Sequence, residues 1–170
     1  GSHMSKASWE KCKQSPLTDA QRARFERYLE NRYMGQICFD LKRPRTYRGE
    51  TDIIRNKYGI SADKPVWGIM AHINWDAVSE YSPMAYGTFD EWIVDTVNEI
   101  VKLPDVQWVI KIHPQEAWHD TVHGTCKLIR DRFPSLPPHV KVMPADDDIS
   151  PLDFFNLADG AVTVYGTSGL

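Results

Sequence analysis

The stretch Ile-Lys-Ile-His-Pro-Gln-Glu, residues 110–116, sets an ammonium and an imidazole two positions apart in a chain segment that is otherwise apolar. On an extended backbone Lys111 and His113 share one face, and Pro114 ends the strand and fixes the direction in which the chain leaves it. A cation and an imidazole at a strand end are suited to neutralising or protonating a leaving phosphate, which makes Lys111 and His113 the candidate catalytic pair. The bland alternative is a solvent-exposed strand end whose histidine caps a helix. A second stretch, Val162 to Leu170 (VTVYGTSGL), runs an apolar β-branched segment into a turn of two glycines and two hydroxyl residues. If a helix opens there, its free N–H groups and positive end form a phosphate cradle from Tyr165, Gly166, Thr167, Ser168 and Gly169. The same turn reads equally as an ordinary capped strand-to-helix junction. It is not a Walker loop, because the chain has no GxxxxGK[ST].

Other polar clusters carry weaker chemistry. Asn74-Trp75-Asp76 suits a sugar or a base, or a loop anchored by a buried indole. Asp146-Asp147-Asp148 has the ligand type for a divalent cation, but loop carboxylates are commonly just solvated. His119 and His123 stand four apart and, with His113, raise zinc; no HExxH and no cysteine partner accompany them, so no metal is expected. The basic segment Leu41–Arg48, with Tyr47 interleaved, suits a polyanion contact or a solvated loop.

These residues need elements to hold them. Thr18 to Gln21 has capping-box spacing and predicts a helix to about Tyr33. A short helix follows over about 50–58, ending at Gly59. Lys64 to Ile73 and Val106 to His113 are apolar runs of the kind found in strands buried on both faces. Between them, Thr88 and Glu91 open a helix to about Leu103 with Phe89, Trp92, Ile93, Thr96, Val97, Ile100 and Val101 on one stripe. A helix over about 118–133, a short strand at 139–143, a helix capped by Ser150-Pro151 and a fourth strand from Gly160 complete the alternation. The pattern predicts an α/β fold: a Rossmann-like parallel sheet flanked by helices, preceded by an N-terminal helical arm. The expected division is 1–4 as a cloning remnant (Gly-Ser-His-Met), 5–60 as the arm, and 61–170 as the sheet domain. Ligands of such sheets collect at the carboxyl ends of the strands, where the stretches AHINWDA, KIHPQE, PADDDIS and YGTSGL fall.

Composition sets outer limits. With 42% hydrophobic and 25% charged residues, the 170-residue chain has the balance of a soluble globular protein. A formal charge of -3 gives no global attraction to nucleic acid or anionic membranes, so any anion site must be local. Three widely spaced cysteines fit neither a disulfide framework nor a CxxC metal pattern and point to a reducing cytoplasm.

Taken together, PLTDAQRARFERYLENRYMGQ, KPVWGIMAHINWDA, FDEWIVDTVNEIVKLPDVQWVIKIHPQE and ISPLDFFNLADGAVTVYGTSGL resemble the C-terminal, nucleotide-sugar-binding half of bacterial capsular polysaccharide biosynthesis glycosyltransferases of GT-B type. Similar motifs occur in Kdo- and sialic-acid-transferring relatives. The resemblance implies one half of a GT-B fold, with His113, Thr167 and Ser168 on the donor phosphate. Asn74, Asp76, Glu116, Tyr165, Gly166 and Gly169 are then further substrate contacts. It implies no cofactor, the nucleotide-sugar being the donor substrate, and no nucleic-acid partner. It also implies a polysaccharide or glycolipid acceptor bound through regions outside this chain, and peripheral association with a membrane export complex at the inner face of the membrane. An acidic residue for the donor ribose would follow Leu170, so the isolated chain is expected to bind nucleotide without turnover. The alternatives are a CDP-polyol phosphotransferase of teichoic-acid type, which would use the same cradle, and a non-catalytic nucleotide-binding scaffold.

Overall fold

A computed structural model describes residues 5–33, 47–74, 85–117 and 123–164. The chain divides into two compact units, residues 1–47 and 48–170.

The first unit contributes α1 (Lys6–Gln14) and α2 (Asp19–Tyr33). Helix α2 starts at the expected capping box. The Thr18 hydroxyl accepts from the Gln21 N–H at 3.3 Å, and the Gln21 side chain accepts from the Thr18 N–H at 2.9 Å. Helix α1 was not expected. Its Ser5 cap accepts from the Ser8 N–H at 3.2 Å, but α1 has no apolar stripe and buries no residue.

The second unit holds α3 (Thr51–Tyr58), β1 (Val66–Met70), α4 (Phe89–Ile100), β2 (Gln107–Lys111), α5 (Thr125–Arg132), β3 (Val140–Met143), α6 (Pro151–Leu157) and β4 (Gly160–Val162). The four strands form one parallel sheet in the order β3-β2-β1-β4. This is the α/β, Rossmann-like arrangement that the alternating pattern predicts. Among the described residues, no helix is long and apolar enough to cross a membrane.

Alternation along the strands sends side chains to two cores. Ile69, Trp108, Ile110, Ile112 and Val140 meet α4 and α5 through Trp92, Ile93, Val97, Ile100 and Ile129. Val66, Val109 and Met143 meet α3 and α6 through Ile54, Phe154 and Leu157. The predicted α4 stripe is therefore the buried one, with Val97 wholly inaccessible. Gly68 marks the closest approach on the second face, since a Cβ there would lie 2.6 Å from the Phe154 ring.

The boundary of the arm moves. Helix α3, expected to belong to residues 5–60, is part of the sheet unit, which begins at Arg48. Ile54 is fully buried in the second core, and Asp153 at the start of α6 accepts the N–H groups of Arg48 (3.0 Å), Gly49 (2.8 Å) and Glu50 (3.1 Å). The α3 N-cap thus receives its side-chain oxygen from a residue a hundred positions away. Helix α3 ends at Gly59, whose φ of 59° is the left-handed conformation that glycine accepts without strain.

Candidate functional site

The strand order reverses direction between β1 and β4, because the chain builds outward from β1 to β3 and then returns to the far side of β1. In open α/β sheets such a reversal opens a crevice at the carboxyl ends of the strands. Residues 71–74 after β1 and residues 163–164 after β4 therefore share one edge.

His113 does not neighbour that second stretch. Its strand, β2, lies on the other side of β1, so β2 and β4 are about 10 Å apart, two strand spacings. The strand that precedes residues 165–169, which lie outside the described residues, is therefore not adjacent to the strand that ends at His113. His113 itself is half-buried. Its Nδ1 accepts from the Gln115 N–H at 3.2 Å, and its carbonyl accepts from the Glu116 N–H at 3.0 Å, closing the 3-10 turn Pro114–Ala117. With Nδ1 as acceptor, the neutral ring carries its proton on Nε2, the tautomer able to donate.

Lys111 is buried, at 3% exposure. Its ammonium lies 3.4 Å from the Ile149 carbonyl and 3.5 Å from Met143 Sδ, on the face covered by α3 and α6. The side chain expected beside a phosphate instead holds the loop between β3 and α6 from beneath.

Glu116, expected to contact substrate, is turned to α5. Its buried carboxylate accepts from the Thr125 N–H at 2.9 Å and the Cys126 N–H at 3.4 Å, capping a helix whose own N-cap residue, Gly124, has no side chain. A Cβ on Gly124 would sit 2.5 Å from Glu116 Oε2, so the glycine makes room for the cap. This cap is why α5 starts at Thr125, whereas the sequence pattern suggested a start near 118.

The β1 exit is tied to the same corner. Asn74 Nδ2 donates to the His123 carbonyl at 2.5 Å, and Thr125 Oγ1 donates to the His72 carbonyl at 3.3 Å. The His72 ring stacks on Phe89 with centroids 4.1 Å apart and planes 6° from parallel. Asn74 Oδ1 is buried and accepts no hydrogen bond, an acceptor that costs about 1–3 kcal/mol to leave without a donor. His72 and Thr125 carried no signal in the sequence, because they act through contacts 17 and 53 positions away.

Two of the three aspartates of the triplet are held by ion pairs within the sheet unit. Asp147, its side chain 4% exposed, accepts from Lys57 Nζ at 2.8 Å and from the Tyr58 hydroxyl, while Asp148 pairs with Arg48 at 3.2 Å. Burial, then the Asp147 contact, raises the Tyr58 hydroxyl above the usual phenol range. Asp148 likewise raises Arg48, first through its hydrogen bond and then through its charge. Among the described residues no group of three or more His, Cys, Asp or Glu is placed to hold a metal.

Asp76, Tyr165, Gly166, Thr167, Ser168 and Gly169 lie outside the described residues, as do Trp75 and His119. The described edge thus brings together His72, Asn74 and His113, sets Lys111 beneath it, and assigns Glu116 to a helix cap. No family model, no curated protein and no solved structure matches this chain.

Proposed function

We propose that this chain is the donor-binding part of a glycosyltransferase that moves a sugar from a nucleotide-sugar to a bacterial capsular or surface polysaccharide. The observation that supports the reading is the strand order: the reversal between β1 and β4 sets the end of β1 beside β4, the strand that precedes residues 165–169 in the sequence. On this reading the donor lies across the end of β1. Thr167 and Ser168 contact its phosphate from one side. His113, donating from Nε2, approaches from the other, and the vacant acceptor on Asn74 takes a donor group of the ligand. Lys111 contributes a positive charge from below the edge and secures the β3–α6 loop.

The leaving phosphate is stabilised by hydrogen-bond donors and a nearby cation, chemistry that needs no metal. The group that activates the acceptor belongs to another part of the enzyme. The reading is cytoplasmic, where nucleotide-sugars are at hand.

Titration calorimetry of the folded chain with CMP, CDP, UDP and GDP tests this. One nucleotide should bind saturably, and His113→Ala should weaken it about tenfold, the loss of one hydrogen bond to a charged group. Absence of binding to all four would remove the reading.

A further inference from the structure

The net charge of -3 conceals a division along the chain. Residues 1–47 carry ten Lys and Arg against five Asp and Glu, whereas residues 48–170 carry ten against eighteen. The basic unit also exposes more large apolar side chains than the sheet unit, where Ile53, Trp67 and Leu103 are the exposed ones. Trp9, Leu17, Phe25, Tyr28 and Leu29 are each 38–55% accessible, and α1 buries nothing. Isolated exposed apolar residues are ordinary, but four on two helices and a fifth between them, in a unit with twice as many basic as acidic residues, form a pattern.

The arrangement on each helix sharpens it. At 3.6 residues per turn, Gln21, Arg22, Tyr28 and Leu29 fall within about 60° of Phe25 on α2, while all three carboxylates, Asp19, Glu26 and Glu30, lie about 100–140° round the helix. The apolar face of α2 is therefore cationic at its margins, and its acids are gathered to one side. On α1, Trp9 sits on the same face as Lys6 and Lys13.

We propose that the N-terminal helical unit binds the surface of an anionic lipid bilayer, laying Trp9, Phe25 and Leu29 into the headgroup–acyl boundary with the flanking Lys and Arg on lipid phosphates. An indole, a phenyl ring and leucines on one side and basic residues beside them match what an interfacial helix requires. The leucines favour lipid over nucleic acid, where stacking would use the rings and leave the aliphatic chains without a partner. A second copy fits less well, since an isologous contact between α2 faces brings Arg22 toward its own equivalent. The excess of carboxylates on residues 48–170 disfavours contact of that unit with the same surface, so the attachment is confined to the arm.

Flotation of the full chain with phosphatidylcholine vesicles, and with vesicles containing about one-third phosphatidylglycerol, tests the proposal. Binding is expected only to the anionic vesicles and is lost near 0.5 M salt, where the screening length falls to about 4 Å. Arg22→Gln with Arg24→Gln should weaken binding roughly 25-fold, about fivefold per charge removed. Phe25→Ser with Leu29→Ser should weaken it at least as much, while the thermal transition of the sheet unit stays unchanged. Equal binding to neutral vesicles, no binding to either, or variants that bind as the parent overturn the proposal. Tighter binding to a single-stranded oligonucleotide than to anionic vesicles, with the same dependence on Arg22 and Arg24, overturns it in favour of a nucleic-acid surface. Concentration-dependent self-association that Phe25→Ser abolishes, without vesicle binding, overturns it in favour of an interface between copies.

Discussion

Replacing Asp153 by Ala should destabilise the sheet unit although the residue is remote from the proposed donor crevice. The side chain is fully buried, and its two oxygens accept from the N–H groups of Arg48, Gly49 and Glu50 at 2.8–3.2 Å. A hydrogen bond to a charged group contributes about 1.5–3 kcal/mol, which would suggest a sum above 4 kcal/mol. The donors, however, lie near the surface, where water replaces part of what is lost, as at any exposed helix N-terminus. An N-cap lost in that setting costs about 0.5–2 kcal/mol. The cavity left in a well-packed site adds about 1 kcal/mol. The expected loss is therefore about 1.5–3 kcal/mol by urea unfolding, or a drop of roughly 5–12 °C in Tm for a unit of this size. Asp153→Asn keeps the shape but turns an amide donor toward backbone donors, so it should recover little. Hydrogen exchange supplies the second readout: amides 52–58 should lose protection before those of β1 and β2. A loss below about 0.5 kcal/mol, or an exchange pattern that spares α3, would refute the reasoning that α6 anchors α3 to the sheet.

Three further outcomes follow from packing and charge. Gly68→Ala should cost about 1–3 kcal/mol in urea unfolding, because a methyl group would collide with the buried Phe154 ring. Ile100→Asp, placing a carboxylate in the α4 core where the native side chain is 3% exposed, should cost about 4 kcal/mol or abolish folding. Tyr58 must stay protonated in the folded state above the pH at which an unfolded tyrosine ionises, near 10. Stability from this group is thus complete below pH 10 and declines as pH rises further, and Tyr58→Phe should flatten that decline in a pH series of melting curves.

The fold was legible because its signals are local. The α4 stripe, the Thr18 and Ser150 caps and the long apolar strands each announce themselves within a dozen residues, and Ser150 indeed accepts from the Leu152 N–H at 3.2 Å. Helix α1 was not legible, since KASWEKCKQ has one large apolar residue and therefore no period to detect. Strand order was not legible either: alternation of helices and strands implies a parallel sheet but carries nothing about which strand lies beside which. The position of Lys111 illustrates the cost. Its alternation with Ile110 and Ile112 correctly separates it from the α4–α5 face, yet the cover on its own face comes from α3 and α6, some 40–60 residues away on either side. Glu116 failed for a related reason, because the N–H groups it caps belong to a helix whose start had been expected earlier.

On the proposed reading, the same caps narrow where a donor phosphate would rest. A helix N-terminus attracts an anion through its free N–H groups and dipole, but only if no carboxylate is already there. In the sheet unit every described helix has one. Asp153 accepts from the residues leading into α3, and it also lies in the first turn of α6. Asp90 and Glu91 sit in the first turn of α4, and Glu116 accepts from the first two N–H groups of α5. An incoming phosphate at any of these ends would face a negative charge within a few ångströms, a repulsion worth on the order of several kcal/mol where water is partly excluded. Attraction must then come from elsewhere along the carboxyl edge. The exit of β1 is the opening left by that argument: it adjoins β4 directly and His113 flanks it across one strand spacing, while the buried acceptor on Asn74 suits a hydroxyl or amine of the ligand and not its phosphate. A ligand bound there would lie along the edge rather than point down a helix axis. Its affinity should therefore respond to substitution of His113, Thr167 or Ser168, and not to removal of the charge on Asp90.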